Sequence, residues 1–211
     1  MAFLLFVLLI IVLKLIDVAP IGPEGTSVGL SHMNGAFHTL FDYSTIWYMI
    51  SKVAGYLMFI IPVFFGLFGL LQLAAKKSIK KVDRPLLALF GLYAATAAVY
   101  VFFEKVIVNY RPVILPGEEH VEASFPSSHT MLACVILSSA FMLFGKYIHN
   151  ETVQAVLQIV CVVLLVVIVI GRLLSGVHWL TDIIGGILIS MAMLAAFVPL
   201  SNRKRKYKKI S

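Results

Sequence analysis

An all-α, six-transmembrane-helix bundle is the fold that this sequence predicts. Three observations carry the expectation: 61% of the 211 residues are hydrophobic, only 13% are charged, and the apolar residues gather into six runs. With a mean hydropathy of +0.99, the composition is that of an integral membrane protein and not of a water-soluble domain. The runs cover residues 2–16, 47–75, 85–108, 129–145, 153–170 and 180–200, to be compared with the roughly 20 residues that a helix needs to cross the hydrocarbon. No repeat or low-complexity segment interrupts them, so residues 1–211 read as a single integral membrane domain.

The first run has the length of a signal-peptide core, but it lacks a positive start and a small-residue cleavage site before Pro20, which favours a retained helix. Cys134 and Cys161 both fall inside apolar runs, where a thiol behaves as a small hydrophobe; neither a disulfide framework nor a cysteine metal site follows. The net charge of +7 does not point to nucleic acid, because the basic residues sort by connection. Lys76, Lys77, Lys80, Lys81 and Arg84 follow the second run, Lys146 the fourth, and Arg203, Lys204, Arg205, Lys206, Lys208 and Lys209 the sixth. By the positive-inside rule these stretches are cytoplasmic, as are both termini, and the connections after runs one, three and five lie outside. The basic tail is read as a topology anchor, with anionic lipid binding as the alternative.

Two connections are long. Residues 17–46 carry Pro20, Gly22, Pro23, Gly25 and Gly35, the punctuation of irregular loop. Their later part, Leu30 to Phe41, fits a short interfacial helix, and His32 and His38 are expected to be solvated. Residues 109–128 hold Arg111, Pro112, Glu118, Glu119 and Glu122. The acidic residues read as a solvated loop. Pro112 is expected to stop the third helix, because it lacks an N–H and disfavours helical geometry in the residue before it. Arg111 is thereby presented at the helix mouth.

The chemistry collects in three short segments: Arg111-Pro112, Pro126-Ser127-Ser128-His129, and Gly171-Arg172 followed by His178 and Asp182. Ionisable groups at the ends of membrane segments are costly and mark functional sites by default. Phosphate is the ligand that these parts suit. Arg111 and Arg172 offer planar guanidinium forks on the same side of the membrane, and the helix start near Ser127 offers unpaired N–H groups and the positive end of a helix dipole. His178 and Asp182 are four apart, one helical turn. The carboxylate can then fix the imidazole tautomer and leave the other ring nitrogen free to attack, although a helix-start ion pair gives the same spacing. Zinc on two histidines and an aspartate is the metal alternative. Two neighbouring arginines would repel the cation, and no His-Glu-x-x-His or cysteine pair exists, so no metal and no cofactor is expected.

Together these segments resemble the signature of the type 2 phosphatidic acid phosphatase superfamily: Lys-x6-Arg-Pro, Pro-Ser-Gly-His and Ser-Arg-x5-His-x3-Asp. The resemblance covers the four C-terminal runs. It implies a metal-independent phosphatase in which His178 is the nucleophile and forms a phosphohistidine, Asp182 orients it, and His129 is the acid for the leaving oxygen. Arg111, Arg172, Lys105 and the Ser127 and Ser128 region would cradle the phosphoryl oxygens.

Three positions depart from that signature: Ser128 stands for glycine, Gly171 for serine, and Glu104 occupies the place of the lysine. Lys105 is one residue too close to Arg111, and on a helix this turns it by roughly 100°, so it reaches the phosphate only where the backbone loosens before Pro112. The function implied is hydrolysis of a lipid phosphate or diphosphate in the cell membrane, on the extracytoplasmic side. An isoprenoid diphosphate, phosphatidylglycerophosphate and phosphatidate all fit, and oligomeric state is not readable. Two rivals are a lipid phosphotransferase, in which an alcohol replaces water at the same site, and a transporter or flippase. The latter predicts broken helices with polar residues near mid-span.

Overall fold

The computed structural model describes residues 1–202. The basic tail from Arg203 onward, read above as a topology anchor, lies outside the described residues. The described chain is helical: α1 (Ala2–Leu15), α2 (Ser31–Leu40), α3 (Thr45–Met58), α4 (Ile60–Lys76), α5 (Arg84–Lys105), α6 (Ser128–Tyr147), α7 (Glu151–Leu174) and α8 (Leu180–Asn202). Five stretches are long and apolar enough to cross a membrane: Thr45–Lys76, Arg84–Lys105, Ser128–Tyr147, Glu151–Leu174 and Leu180–Asn202. The chain is therefore a multi-pass membrane protein.

The sixth expected span, α1, has 14 residues and is about 21 Å long at 1.5 Å per residue, short of the ~30 Å hydrocarbon core. It is nevertheless part of the bundle. Phe6 and Leu13 are buried, and Phe6 packs edge-on against Phe103 and stacks on Phe125. Lys14 at its end donates to the carbonyls of Ile107 (3.2 Å) and Val108 (2.9 Å), so α1 finishes at the same end of the bundle as α5.

Helix α6 is central. In it 56% of the spanning window is buried, against 11% in α7. Ala133, Leu137, Ala140 and Phe144 of α6 form the core with Leu86 and Leu89 of α5, Phe65 of α4, Ile168 of α7 and Phe197 of α8. Residues 47–75 were expected to be one clean helix, but the span breaks at Phe59. Pro62 explains the break: it has no N–H for the Met58 carbonyl, so the ladder is interrupted there. This span also contains Lys52, so it is not free of charge.

Helix α5 stops at Lys105 instead of running to residue 108. The reason is tertiary. Beyond it the chain is extended and pairs with the segment before α6: Arg111 N–H donates to the Glu122 carbonyl and Ser124 N–H to the Asn109 carbonyl, both at 2.9 Å. Hydrogen bonds that a last helical turn would have made are satisfied across this short antiparallel contact. Helix α2 confirms the short helix expected after Leu30. Its His32 is exposed and meets the Asp17 carboxylate at 2.7 Å. His38 is not a solvated loop residue. It is half-buried with its ring 5.4 Å from that of Trp179, and burial lowers its pKa.

Candidate active site

Three connections meet at the α1 and α5 end of the bundle: the segment carrying α2, residues 106–127, and residues 175–179 between α7 and α8. Trp179 Nε1 donates to the Tyr110 carbonyl at 2.7 Å. Ser44 N–H donates to the Ser175 carbonyl at 3.1 Å, and Ser127 N–H to the Asp182 carbonyl at 3.0 Å. Asn34 bridges α2 to α8, accepting from Thr181 N–H at 3.2 Å and donating to Thr181 Oγ1 at 3.0 Å. These ties bring residues far apart in sequence into one rigid cluster.

Arg111 is aimed by its neighbours. Its Nε donates to the Glu122 carboxylate at 3.0 Å. Its Nη1 lies 3.4 Å from both the Val177 carbonyl and His178 Nε2. A guanidinium has donors only, so the last contact requires a lone pair on Nε2 and puts the ring proton on Nδ1. That nitrogen faces Asp182 Oδ2 at 3.6 Å, with the two side chains 1% and 0% exposed. The separation exceeds a hydrogen bond. The carboxylate has closer partners in Trp179 N–H at 3.0 Å and Asn109 Nδ2 at 3.4 Å.

His178 stands in the turn before α8, so the pair is made across a helix start and not along one helical face as the spacing predicts. Burial, with Arg111 and Arg172 close by, holds the imidazole well below the ordinary histidine range. The ring is neutral at pH 7 and keeps its lone pair.

Arg172, in the last turn of α7, is 2% exposed, and its Cζ lies 5.3 Å from the centroid of the Tyr48 ring of α3. Among the described residues no carboxylate lies within ion-pair distance of it. Gly171 beside it explains one departure from the signature. A Cβ there would sit 2.8 Å from Ser51 Cβ, so the close approach of α3 that brings Tyr48 over Arg172 excludes serine at this position. Gly185 plays the same part for α6: a Cβ on it would collide with the Phe125 ring, which packs just before the helix start.

His129 and Ser128 open α6. A narrow pocket of about 20 Å³ is lined by Tyr100, Glu104, Arg111, Ser128 and His178, room for about one water. Tyr100 and Ser128 also border a larger apolar groove of about 470 Å³ that includes His129 and runs down between the break at Phe59, Thr96 of α5 and Leu132 of α6.

The structure thus brings His178, Asp182, Arg111, Ser128, His129 and Arg172 to one end of the bundle. Ser127 is fully buried behind them with its Oγ unpartnered, and its N–H is already taken by Asp182, so it does not line the pocket. Lys105 is exposed and also outside it, while Glu104 faces in. Unwinding of the chain after residue 105 moves Arg111 to the site without carrying Lys105 along. Lys105→Ala should consequently change the kcat/KM of any reaction at this site by no more than about twofold, the equivalent of the roughly 0.5 kcal/mol of a surface change. A tenfold loss would return Lys105 to the site. Asn109, Tyr48, Lys52 and Trp179 were not legible as site neighbours, since no motif marks them.

Comparison with known proteins adds three findings. The sequence profile described as PAP2 superfamily matches residues 85–206. Over 93 residues the chain is 32% identical to phosphatidylglycerophosphatase B of Bacillus subtilis (strain 168), an alignment that spans 44% of this chain and 45% of that protein's length. A crystal structure titled the first transmembrane PAP2 type phosphatidylglycerolphosphate phosphatase from Bacillus subtilis has the same fold, with a TM-score of 0.68 over 98% of this chain and 97% of that one, at 17% identity.

Proposed function

The chain belongs to the PAP2 superfamily, and on that premise we propose that it is an integral membrane lipid phosphatase that works through a phosphohistidine on His178. The observation that carries this reading is the orientation of the His178 ring, with Nε2 turned to the pocket beside Arg111 and Nδ1 turned to Asp182.

In the first step Nε2 attacks the terminal phosphorus, the bond from phosphorus to the leaving oxygen breaks, and His129, protonated as the phosphate's negative charge enters beside it, gives that oxygen its proton. In the second, water attacks the phosphohistidine, its proton passes to His129, and the phosphorus–nitrogen bond breaks to free phosphate and His178. Arg111, Arg172, Ser128 and the unpaired N–H groups at the start of α6 hold the phosphoryl oxygens where negative charge develops. Lys105 and Ser127 are left out of this set because neither lines the pocket. Asp182 keeps the proton on Nδ1 and favours the imidazolium character that grows during attack.

The apolar groove that meets the pocket at Ser128 and Tyr100 suits a lipid tail, with the phosphate at headgroup level. The basic connections 76–84 and 146 lie at the opposite end of the bundle, which supports an extracytoplasmic site by the positive-inside rule. The similarity to phosphatidylglycerophosphatase B favours a phospholipid monoester, and an isoprenoid diphosphate fits the same parts. A phosphotransferase would share this geometry.

The test is phosphate release by purified protein in detergent from phosphatidylglycerophosphate, an isoprenoid diphosphate, phosphatidate and a soluble phosphate ester. Excess chelator should leave lipid turnover unchanged, because two arginines supply the positive field. Loss of turnover on chelation with recovery on adding zinc or magnesium contradicts the arginine argument, and no release from any lipid contradicts the function.

A further inference from the structure

Helix α3 carries an ammonium that the scheme above does not use. Lys52 lies about two turns inside an apolar span, where a charge is costly and marks function by default. Among the described residues it has no hydrogen bond and no ion pair. Its Nζ sits 5.4 Å from the centroid of the Tyr48 ring, the ring that Arg172 also faces. Lys52 and the buried phosphate-binding arginine are thus neighbours across one aromatic side chain. Gly55 and Tyr56, three and four residues further along α3, line the apolar groove. Residues at these spacings share a helix face, so Lys52 stands above the groove at its junction with the site. The long stem allows the ammonium to rise to headgroup level.

The position relates to the reaction through its geometry. In-line attack by His178 puts the leaving oxygen on the far side of the phosphorus, toward His129 and the groove. In that pose the group bonded to the oxygen enters the groove on the side where Lys52 stands, one helical turn from the groove-lining Gly55 and Tyr56. A lipid whose leaving group is a neutral alcohol offers Lys52 nothing to bind. A lipid whose leaving group keeps a phosphate of its own presents an anion there. The lysine that the superfamily signature places on α5 is Glu104 here, with Lys105 outside the pocket, while Lys52 brings an ammonium from a different helix, beside the ring that Arg172 faces.

Resting on the phosphatase reading, we propose that Lys52 determines substrate class by holding the phosphate that stays on the leaving group. Lipids with two phosphates, one released and one retained, are the preferred substrates. Both a lipid diphosphate and a phosphatidylglycerophosphate have this chemistry, and phosphatidate does not.

The experiment compares kcat/KM of wild type, Lys52→Met and Lys52→Arg on those three lipids. Lys52→Met keeps the apolar stem and removes the charge. It should lose about tenfold to a hundredfold on both two-phosphate lipids, the usual worth of a charged contact, and change by no more than about twofold on phosphatidate. Lys52→Arg should recover most of the loss. A loss confined to the diphosphate or to phosphatidylglycerophosphate identifies which spacing of phosphates Lys52 reads. Equal losses on all three lipids, no loss on any, or no recovery in Lys52→Arg overturns the proposal. Wild-type protein that releases phosphate from no lipid contradicts the phosphatase reading itself, and this inference falls with it.

Discussion

Replacing His178 with asparagine is expected to lower phosphate release by about a thousandfold or more, as loss of a nucleophile does in other covalent mechanisms. Asparagine places its amide where Nδ1 stood, facing Asp182, and leaves Arg111 and Arg172 in place, so the fold and phosphate binding should persist. It has no lone pair basic enough to form a phosphoryl–enzyme bond. The check is turnover of the best lipid substrate beside elution from a sizing column in detergent. A well-behaved variant with more than a tenth of wild-type kcat would remove His178 from the nucleophile's role.

Arg172→Ala is expected to have the next largest effect, about a hundredfold to a thousandfold in kcat, the range seen when a preorganised donor to developing charge is lost. Stability should move the other way or not at all. Arg172 is 2% exposed, its Nε is unpartnered, and its main neighbour is the Tyr48 ring. A buried guanidinium without a carboxylate is held at a desolvation cost that the Tyr48 ring offsets in part and a bound anion offsets further. The alanine variant should therefore melt at or above the wild-type temperature, and phosphate should raise the Tm of wild type but not of the variant. Arg172→Lys should recover little, since an ammonium lacks the planar fork. A variant that loses activity and melts well below wild type would make Arg172 a structural residue instead.

Much of this site was readable in the chain because its chemistry is expensive. A histidine, an aspartate and two arginines at the ends of apolar runs have few reasons to be there other than an anion, and the structure brings those four together. Helix positions were readable for the same reason: run length and apolar composition track the membrane. What was not readable depended on contacts between segments. Helix α5 was expected to reach residue 108, but pairing of residues 109–111 with 122–124 ends it at Lys105 and leaves that lysine outside. Gly171 read only as a departure from the signature's serine, whereas it is the space that Ser51 of α3 needs. His38 read as a loop histidine because nothing local shows that Trp179 covers it. Lys52 is a single charge in a long apolar run, and only the packing of α3 on α7 gives it a neighbour in Arg172.

Turnover by the proposed route passes through a covalent bond between His178 and the transferred phosphoryl group. Wild-type protein mixed with lipid labelled on its terminal phosphate, and quenched in alkali during turnover, should carry label that is stable to base and lost in acid. Peptide mass spectrometry should place that label on His178, with none on His178→Asn. Label on another residue, or steady turnover with no bound label at the earliest times that resolve a first turnover, would contradict it.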